Sequence, residues 1–188
     1  MAAGKAAADG ARRWGLYVHL PFCRQKCFYC DFPSYAGQEG RMAVYVEALL
    51  GELAREGAPL RAAWGPPRTV YLGGGTPTAL PPALMERLLA GLREFLAAAP
   101  DALEFTCECN PGTVDAAYLS LLRAGGVNRL SLGVQTFDDA LLRRIGRIHT
   151  AAEACAAVRQ ARAAGFRNLS LDLMYGLPGQ TRAGLEAS

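Results

Sequence analysis

No run of about 18 apolar residues occurs in this 188-residue chain, so no segment reads as a membrane-spanning helix. A dominant charge is missing too. Twenty Lys and Arg stand against 17 Asp and Glu, for a net +3, and the charges are scattered rather than run together. That excludes the basic stripe of a nucleic-acid binder. The stretch from Met1 to Arg13 is rich in Ala and Gly but lacks the continuous apolar centre of a secretory signal. It also lacks the Arg and Ser enrichment of an organellar transit peptide, and it carries Asp9. A disordered lead-in over residues 1–13 is expected, followed by a single core domain over 14–188. Hairpin turn signals are absent between the strand-like runs. Six cysteines are present, but they do not form a disulfide pattern: three are clustered at 23, 27 and 30, and the others (107, 109, 155) sit in apolar strand or helix contexts. Apolar residues make up 51%, enough for a core without staples. A reducing compartment, the cytoplasm, and a metal site are the expectation.

What is there centres on one loop, Cys23, Cys27 and Cys30 in a C-x3-C-x2-C spacing after Pro21. Soft thiolates suit zinc, copper(I) or iron–sulfur centres. The loop supplies no fourth cysteine, and Asp31 follows Cys30 directly. A closed structural zinc site takes four ligands and an iron–sulfur cluster usually takes four cysteines, so three ligands leave one position open for something that reacts.

Around this loop the chain alternates strand and helix. Leu16 to Leu20 reads as a first strand. A helix follows from Gly40, with Met42, Tyr45, Val46, Leu49, Leu50 and Leu53 at spacings of three and four, and Gly57 and Pro59 are expected to stop it. Thr69 to Leu72 is a second strand running into three glycines. Pro82 opens the next helix, with Pro100 beyond its end. Leu103 to Cys107 is a third strand, Thr113 a candidate cap for the helix holding Tyr118 to Leu122, and Gly125 with Gly126 its end. Val127 to Leu132 is a fourth strand. Asp139 to Ile145 and an Ala-rich helix capped by Thr150 lead to a fifth, Asn168 to Met174. Five strand–helix repeats without hairpins imply a parallel sheet wound with helices. In such folds the active site lies at the carboxyl ends of the strands. The unusual residues fall there: the cysteine loop, Gly73 to Gly75, Glu108 and Asn110, Gln135, and Asp172. A sixth unit barely begins by Ser188, so the chain reads as the N-terminal part of a longer one.

Seven segments together resemble the radical S-adenosylmethionine (AdoMet) superfamily, specifically its family of HemW-like and oxygen-independent coproporphyrinogen oxidase-like proteins. They are YVHLPFC from Tyr17, CFYCDF from Cys27, GGGTPT from Gly73, ECNPGT from Glu108, SLGVQTF from Ser131, GRIH from Gly146 and DLMYGLPGQT from Asp172. The resemblance implies an α/β fold, a partial (β/α)6 TIM-like barrel, here cut after about five βα units. It implies a [4Fe-4S] cluster on Cys23, Cys27 and Cys30, whose open iron chelates AdoMet. One electron then cleaves AdoMet to a 5′-deoxyadenosyl radical, with the protein supplying orientation and exclusion of water.

It further implies AdoMet contacts at Tyr17, Tyr29, Gly74, Gly75, Thr76, Glu108, Gln135, Arg147 and Asp172. Each has an ordinary alternative: a shield for the cluster (Tyr29), a core strand residue (Tyr17), a bare turn (the glycines), or a cap partner or surface group (the polar four). His19 is as readily a hydrogen-bonded barrel histidine as a site residue. His149 is a heme-ligand candidate or an ordinary helix-start residue, and Cys107, Cys109 and Cys155 are expected to pack. Coproporphyrinogen enzymes of this family carry a further cysteine two positions past the third. Here that position is Phe32, which resembles the HemW branch of heme chaperones. The expected cargo is heme and the expected partners are heme-receiving proteins and a flavodoxin- or ferredoxin-type electron donor. Coproporphyrinogen dehydrogenase activity is the alternative.

Overall fold

The computed structural model describes residues 14–97 and 103–188. The expected lead-in over 1–13 and Pro100 lie outside the described residues. Five strands, β1 (Gly15–Leu20), β2 (Thr69–Gly74), β3 (Glu104–Cys109), β4 (Arg129–Gln135) and β5 (Asn168–Leu173), form one parallel sheet in sequential order. Among the described residues seven α-helices accompany them: α1 (Met42–Glu52), α2 (Ala58–Trp64), α3 (Pro82–Phe95), α4 (Ala116–Ala124), α5 (Asp139–Arg144), α6 (Ala151–Ala163) and α7 (Arg182–Glu186). Strand–helix alternation in parallel register is the architecture the pattern implies.

The alternation of side chains along the strands divides the sheet into two unlike faces. Val18, Leu20, Val70, Leu72, Phe105, Cys107, Cys109, Leu130, Leu132 and Val134 are buried in one core with Met85, Leu88, Leu92, Leu119 and Leu122 of the helices. The positions between them carry Tyr17, His19, Tyr71, Thr106, Glu108, Ser131, Gln135 and Asp172. A parallel sheet covered on both sides would be apolar on both. Here one face packs on helices, and the other is a polar wall that ends at the strands' carboxyl termini.

Several local expectations meet a different outcome. Gly57 and Pro59 do not end the first helix. The chain widens into a π-helical turn over Leu53–Gly57 and continues as α2 to Trp64, where Gly65 at φ 76° stops it. Pro59 falls in the first turn of α2, where its missing N–H costs nothing, and the wide turn ahead of it absorbs the interrupted ladder. Gly57 instead admits the Phe95 ring, which a Cβ would meet at 3.0 Å. Thr113 does not cap α4. The cap is Asp115, whose carboxylate accepts from the Tyr118 N–H at 2.8 Å. Thr113 lies in a short 3-10 turn, its hydroxyl 2.5 Å from that of Thr78. Thr150 caps α6 as expected, in a full capping box with Glu153. Cys107 and Cys109 are buried, whereas Cys155 is exposed on the outer face of α6.

Candidate cofactor site at the strand ends

The cysteine loop is seated by backbone and side-chain bonds to the segments that follow three other strands. Gly75 N–H donates to the Leu20 carbonyl at 2.9 Å and Thr76 N–H to that of Phe22 at 2.7 Å. Phe22 and Cys23 also pair with Tyr35 and Ala36 as a two-residue parallel bridge, which closes the loop at its base. Farther along, Phe28 N–H donates to Ile145 O, Gln25 to Gly146 O and Arg24 to Gly112 O, each at 3.0–3.1 Å. The loop therefore bridges the exits of β2, β3 and β4.

Its thiols are held differently. Cys23 is buried, its sulfur 3.6 Å from the Thr76 hydroxyl. Cys27 accepts from the Arg147 guanidinium at 3.3 Å. The same guanidinium donates to the Gly133 carbonyl, and its Nε is buried with no partner. Arg147 is thus anchored at the exit of β4 and aimed at the loop. A metal-bound thiol is deprotonated, and a guanidinium beside it offsets the charge of a thiolate-ligated centre. Among the described residues no three His, Cys, Asp or Glu side chains converge closely enough to hold one metal ion. Thiolates on a multi-iron cluster bind separate irons and stand wider apart than ligands of a single ion. Three thiols on one loop, with a guanidinium at hand, fit a cluster's donor set.

Tyr29, between two of the cysteines, has its phenol pushed up to about 12, by burial first and by the neighbouring cysteines next, against the pull of Arg147. It shares a corner with Arg147 and Cys27. Gln135 is beside them: a Cβ on Gly133 would meet the Gln135 amide at 3.0 Å and Arg147 at 3.2 Å. Gln135 is the one non-glycine residue of positive φ (70°) among the described residues, and it sits at a register shift where its carbonyl accepts from Met174 N–H at 2.8 Å.

A second group lies one strand over. Glu108 accepts from the Tyr71 hydroxyl at 2.7 Å through Oε1 and from the Gly74 N–H at 3.2 Å through Oε2. Burial raises its pKa, and these two donors pull the other way. Tyr17 stacks on Tyr71 (centroids 5.9 Å, planes 21° apart) and its hydroxyl lies 3.3 Å from His19 Nδ1. His19 Nε2 reaches the Pro33 carbonyl at 3.0 Å, so His19 is a bonded wall histidine. Asp172, exposed at the far end of the row, accepts from the Ser131 hydroxyl through both oxygens at 3.3 Å. The polar residues therefore fall into two neighbouring groups and one outlying carboxylate along the same rim.

The triple glycine serves the protein's own packing before any ligand. A Cβ on Gly73 would meet the Tyr71 ring at 2.8 Å, on Gly74 the His19 ring at 2.6 Å, and on Gly75 the Phe22 carbonyl oxygen at 2.6 Å. His149 is not a free ligand either. It is buried, with Nδ1 and Nε2 each 3.2 Å from Asn110 Oδ1 and the Val134 carbonyl, and burial next to Arg147 lowers its pKa to about 4. Tyr71 completes the site with no motif to flag it, and Ser131 and Gly133, though inside the SLGVQTF segment, complete it with no role attached to them from the sequence. The signal for the first two was strand alternation, which puts a polar side chain on the polar face.

A parallel sheet with a thiol loop and a polar rim at its strand ends is the layout of an α/β protein built around a metal cofactor. The chain belongs to the radical SAM superfamily, whose family model matches residues 17–188. Within it the chain is similar to HemW-like proteins. It is 42% identical over 176 residues to the heme chaperone HemW of Bacillus subtilis, covering 92% of this chain and 45% of that one. Identity to HemW of Escherichia coli is 46% over 167 residues, covering 88% and 43%. An oxygen-independent coproporphyrinogen III oxidase of Bradyrhizobium diazoefficiens is 37% identical, covering 89% and 37%. In structure, the radical SAM coproporphyrinogen III oxidase HemN of Escherichia coli superposes with a TM-score of 0.82 at 34% identity, over 96% of this chain and 41% of that one. The chain spans less than half the length of these relatives.

Proposed function

We propose that the chain is the cluster- and AdoMet-binding part of a HemW-like heme chaperone, a protein that binds heme and passes it to target proteins. The observation that carries this reading is the end of the cysteine loop. Cys30 is followed by Asp31 and Phe32, where the coproporphyrinogen enzymes resemble one another in carrying a further cysteine. Identities of 42–46% to proteins named heme chaperone support it. Phe28 and Phe32, 77% and 63% exposed, add apolar surface beside the loop of the kind a planar macrocycle covers.

In this reading Cys23, Cys27 and Cys30 hold a [4Fe-4S] cluster, which when reduced supplies one electron to the sulfonium of AdoMet. The chain's own residues position and shield. Arg147 balances the charge of the thiolates from its anchor on Gly133. Tyr29 screens the loop from water and, with Gly74, Gly75 and Thr76, lines the approach to it. Tyr17, Glu108, Gln135 and Asp172 offer polar contacts to the amine and hydroxyls of AdoMet. Residues 14–188 act as one core domain, in the cytoplasm, served by a flavodoxin- or ferredoxin-type donor.

Oxidative decarboxylation of coproporphyrinogen III is the second reading, favoured by the close superposition on HemN. One experiment separates them. The cluster is reconstituted anaerobically, AdoMet and dithionite are added, and heme binding and coproporphyrinogen turnover are followed separately. A heme Soret band without turnover is expected. Formation of protoporphyrinogen would overturn the chaperone reading, and failure to bind heme would remove the cargo.

A further inference from the structure

Glu108 is the carboxylate most deeply set in the rim, and a buried carboxylate tends to take up a proton and lose its charge. Four ionisable groups face it, Tyr17 and His19 from β1, Tyr71 from β2 and Asp172 from β5, while Arg129 of β4 acts on Tyr71. Asp172 opposes its ionisation and His19 favours it. Among the described residues two groups donate hydrogen bonds to it, the Tyr71 hydroxyl and the Gly74 N–H. The backbone donor is fixed by β2. The phenol is not, and its position depends on a device within the same strand. The Tyr71 ring stacks on that of Tyr17, and both border Gly73, where a Cβ would stand 2.8 Å from the Tyr71 ring and 3.1 Å from the Tyr17 ring. A residue larger than glycine at 73 would press on both rings, and with them on the hydroxyl that lies 2.7 Å from Glu108.

We infer that Tyr71, stacked on Tyr17 beside Gly73, is a positioning residue that holds Glu108 ionised and oriented for the cationic amine or hydroxyls of AdoMet. The inference rests on the reading that Glu108 contacts AdoMet. A phenol donating to a buried carboxylate stabilises its charged form and leaves the remaining lone pairs of Oε1 and Oε2 for the ligand. Tyr71 does not touch AdoMet in this arrangement; it acts through Glu108.

The test measures AdoMet affinity by calorimetry on the cluster-reconstituted protein between pH 6 and 9, with cluster content checked at each pH. Tyr71→Phe keeps the ring and its stacking and removes only the donor. Its acid limb of AdoMet binding is expected to lie about one pH unit higher than that of the unsubstituted protein, the two converging at the alkaline end, because a lost hydrogen bond to a charged group favours protonation of Glu108. Gly73→Ala is expected to move the acid limb the same way. Tyr118→Phe, which removes a phenol donating to the Leu80 carbonyl on the far side of the sheet, leaves the profile unchanged. Glu108→Gln is expected to weaken binding at every pH and to abolish the acid limb. If Glu108→Gln weakens binding while the Tyr71→Phe profile coincides with that of the unsubstituted protein, or falls equally at all pH, the role of Tyr71 is overturned and that of Glu108 stands. If Glu108→Gln binds AdoMet normally, the contact itself is wrong and the inference falls with it.

Discussion

Replacing Gly75 with alanine adds one methyl group at the point where the glycine run meets the cysteine loop. Its carbon would stand 2.6 Å from the Phe22 carbonyl oxygen and 3.0 Å from the Phe22 nitrogen and carbonyl carbon. Ordinary contact begins at 3.4 Å, so the nearest atom is about 0.8 Å too close. The obstacle is backbone, which no rotamer change can move. Relief requires parting two segments joined by the Gly75-to-Leu20 and Thr76-to-Phe22 hydrogen bonds, and with them the approach of Thr76 to Cys23. Overpacking of this kind costs about 1–3 kcal/mol, each weakened hydrogen bond about 1 kcal/mol, and the loss of unfolded-state freedom returns up to about 1 kcal/mol. A net destabilisation of about 2–4 kcal/mol is expected. Urea unfolding measures it, and iron content with visible cluster absorbance after reconstitution measures the displacement of Cys23. Gly51→Ala is the matched comparison. Gly51 is exposed in α1 with nothing within 4 Å of an added Cβ, and alanine there is expected to stabilise by about 0.5–1 kcal/mol. If Gly75→Ala matched the unsubstituted protein in both stability and cluster loading, the glycine would not be what seats the loop.

Cys27→Ala is expected to abolish cluster absorbance, since two thiolates rarely hold a [4Fe-4S] cluster; a retained cluster would make Cys107 or Cys109 a ligand. His149 has a folded pKa near 4 against an ordinary 6.5, so its folded form is the neutral one. Its contribution to stability is complete above pH 6.5 and is lost as pH falls through 4, and His149→Gln should flatten that part of a urea-midpoint titration. Thr150→Ala removes the capping box of α6 and should lower stability by about 1 kcal/mol in the same unfolding assay, with no change in cluster loading.

The order of strands and helices was legible because alternation and helical spacing depend on short-range pattern alone. So was the cysteine loop, whose spacing carries its own chemistry. Boundaries failed where a tertiary contact decided between two local options. Thr113 and Asp115 are both fair caps for α4, and the bond from Thr113 to Thr78 on another exit left the cap to Asp115. Pro59 looked like a stop because a π-helical turn ahead of it leaves no mark in residue types. The packing need for the three glycines was not legible, because the rings of Tyr71 and His19 and the Phe22 peptide that occupy the space of their missing side chains come from other positions. Tyr71 went unnoticed because a tyrosine in a strand is ordinary until its hydroxyl is seen on a carboxylate.

Gln135 has a bearing on how this fold could be engineered. A side chain at φ 70° stores strain of about 1–3 kcal/mol that glycine would not feel. A selection for thermal tolerance alone would therefore favour glycine at 135, and would delete a rim amide in the same step. If Gln135 holds AdoMet as proposed, directed evolution of this domain needs a ligand-binding screen alongside the heat challenge, because the hardier variant then gives up a ligand contact.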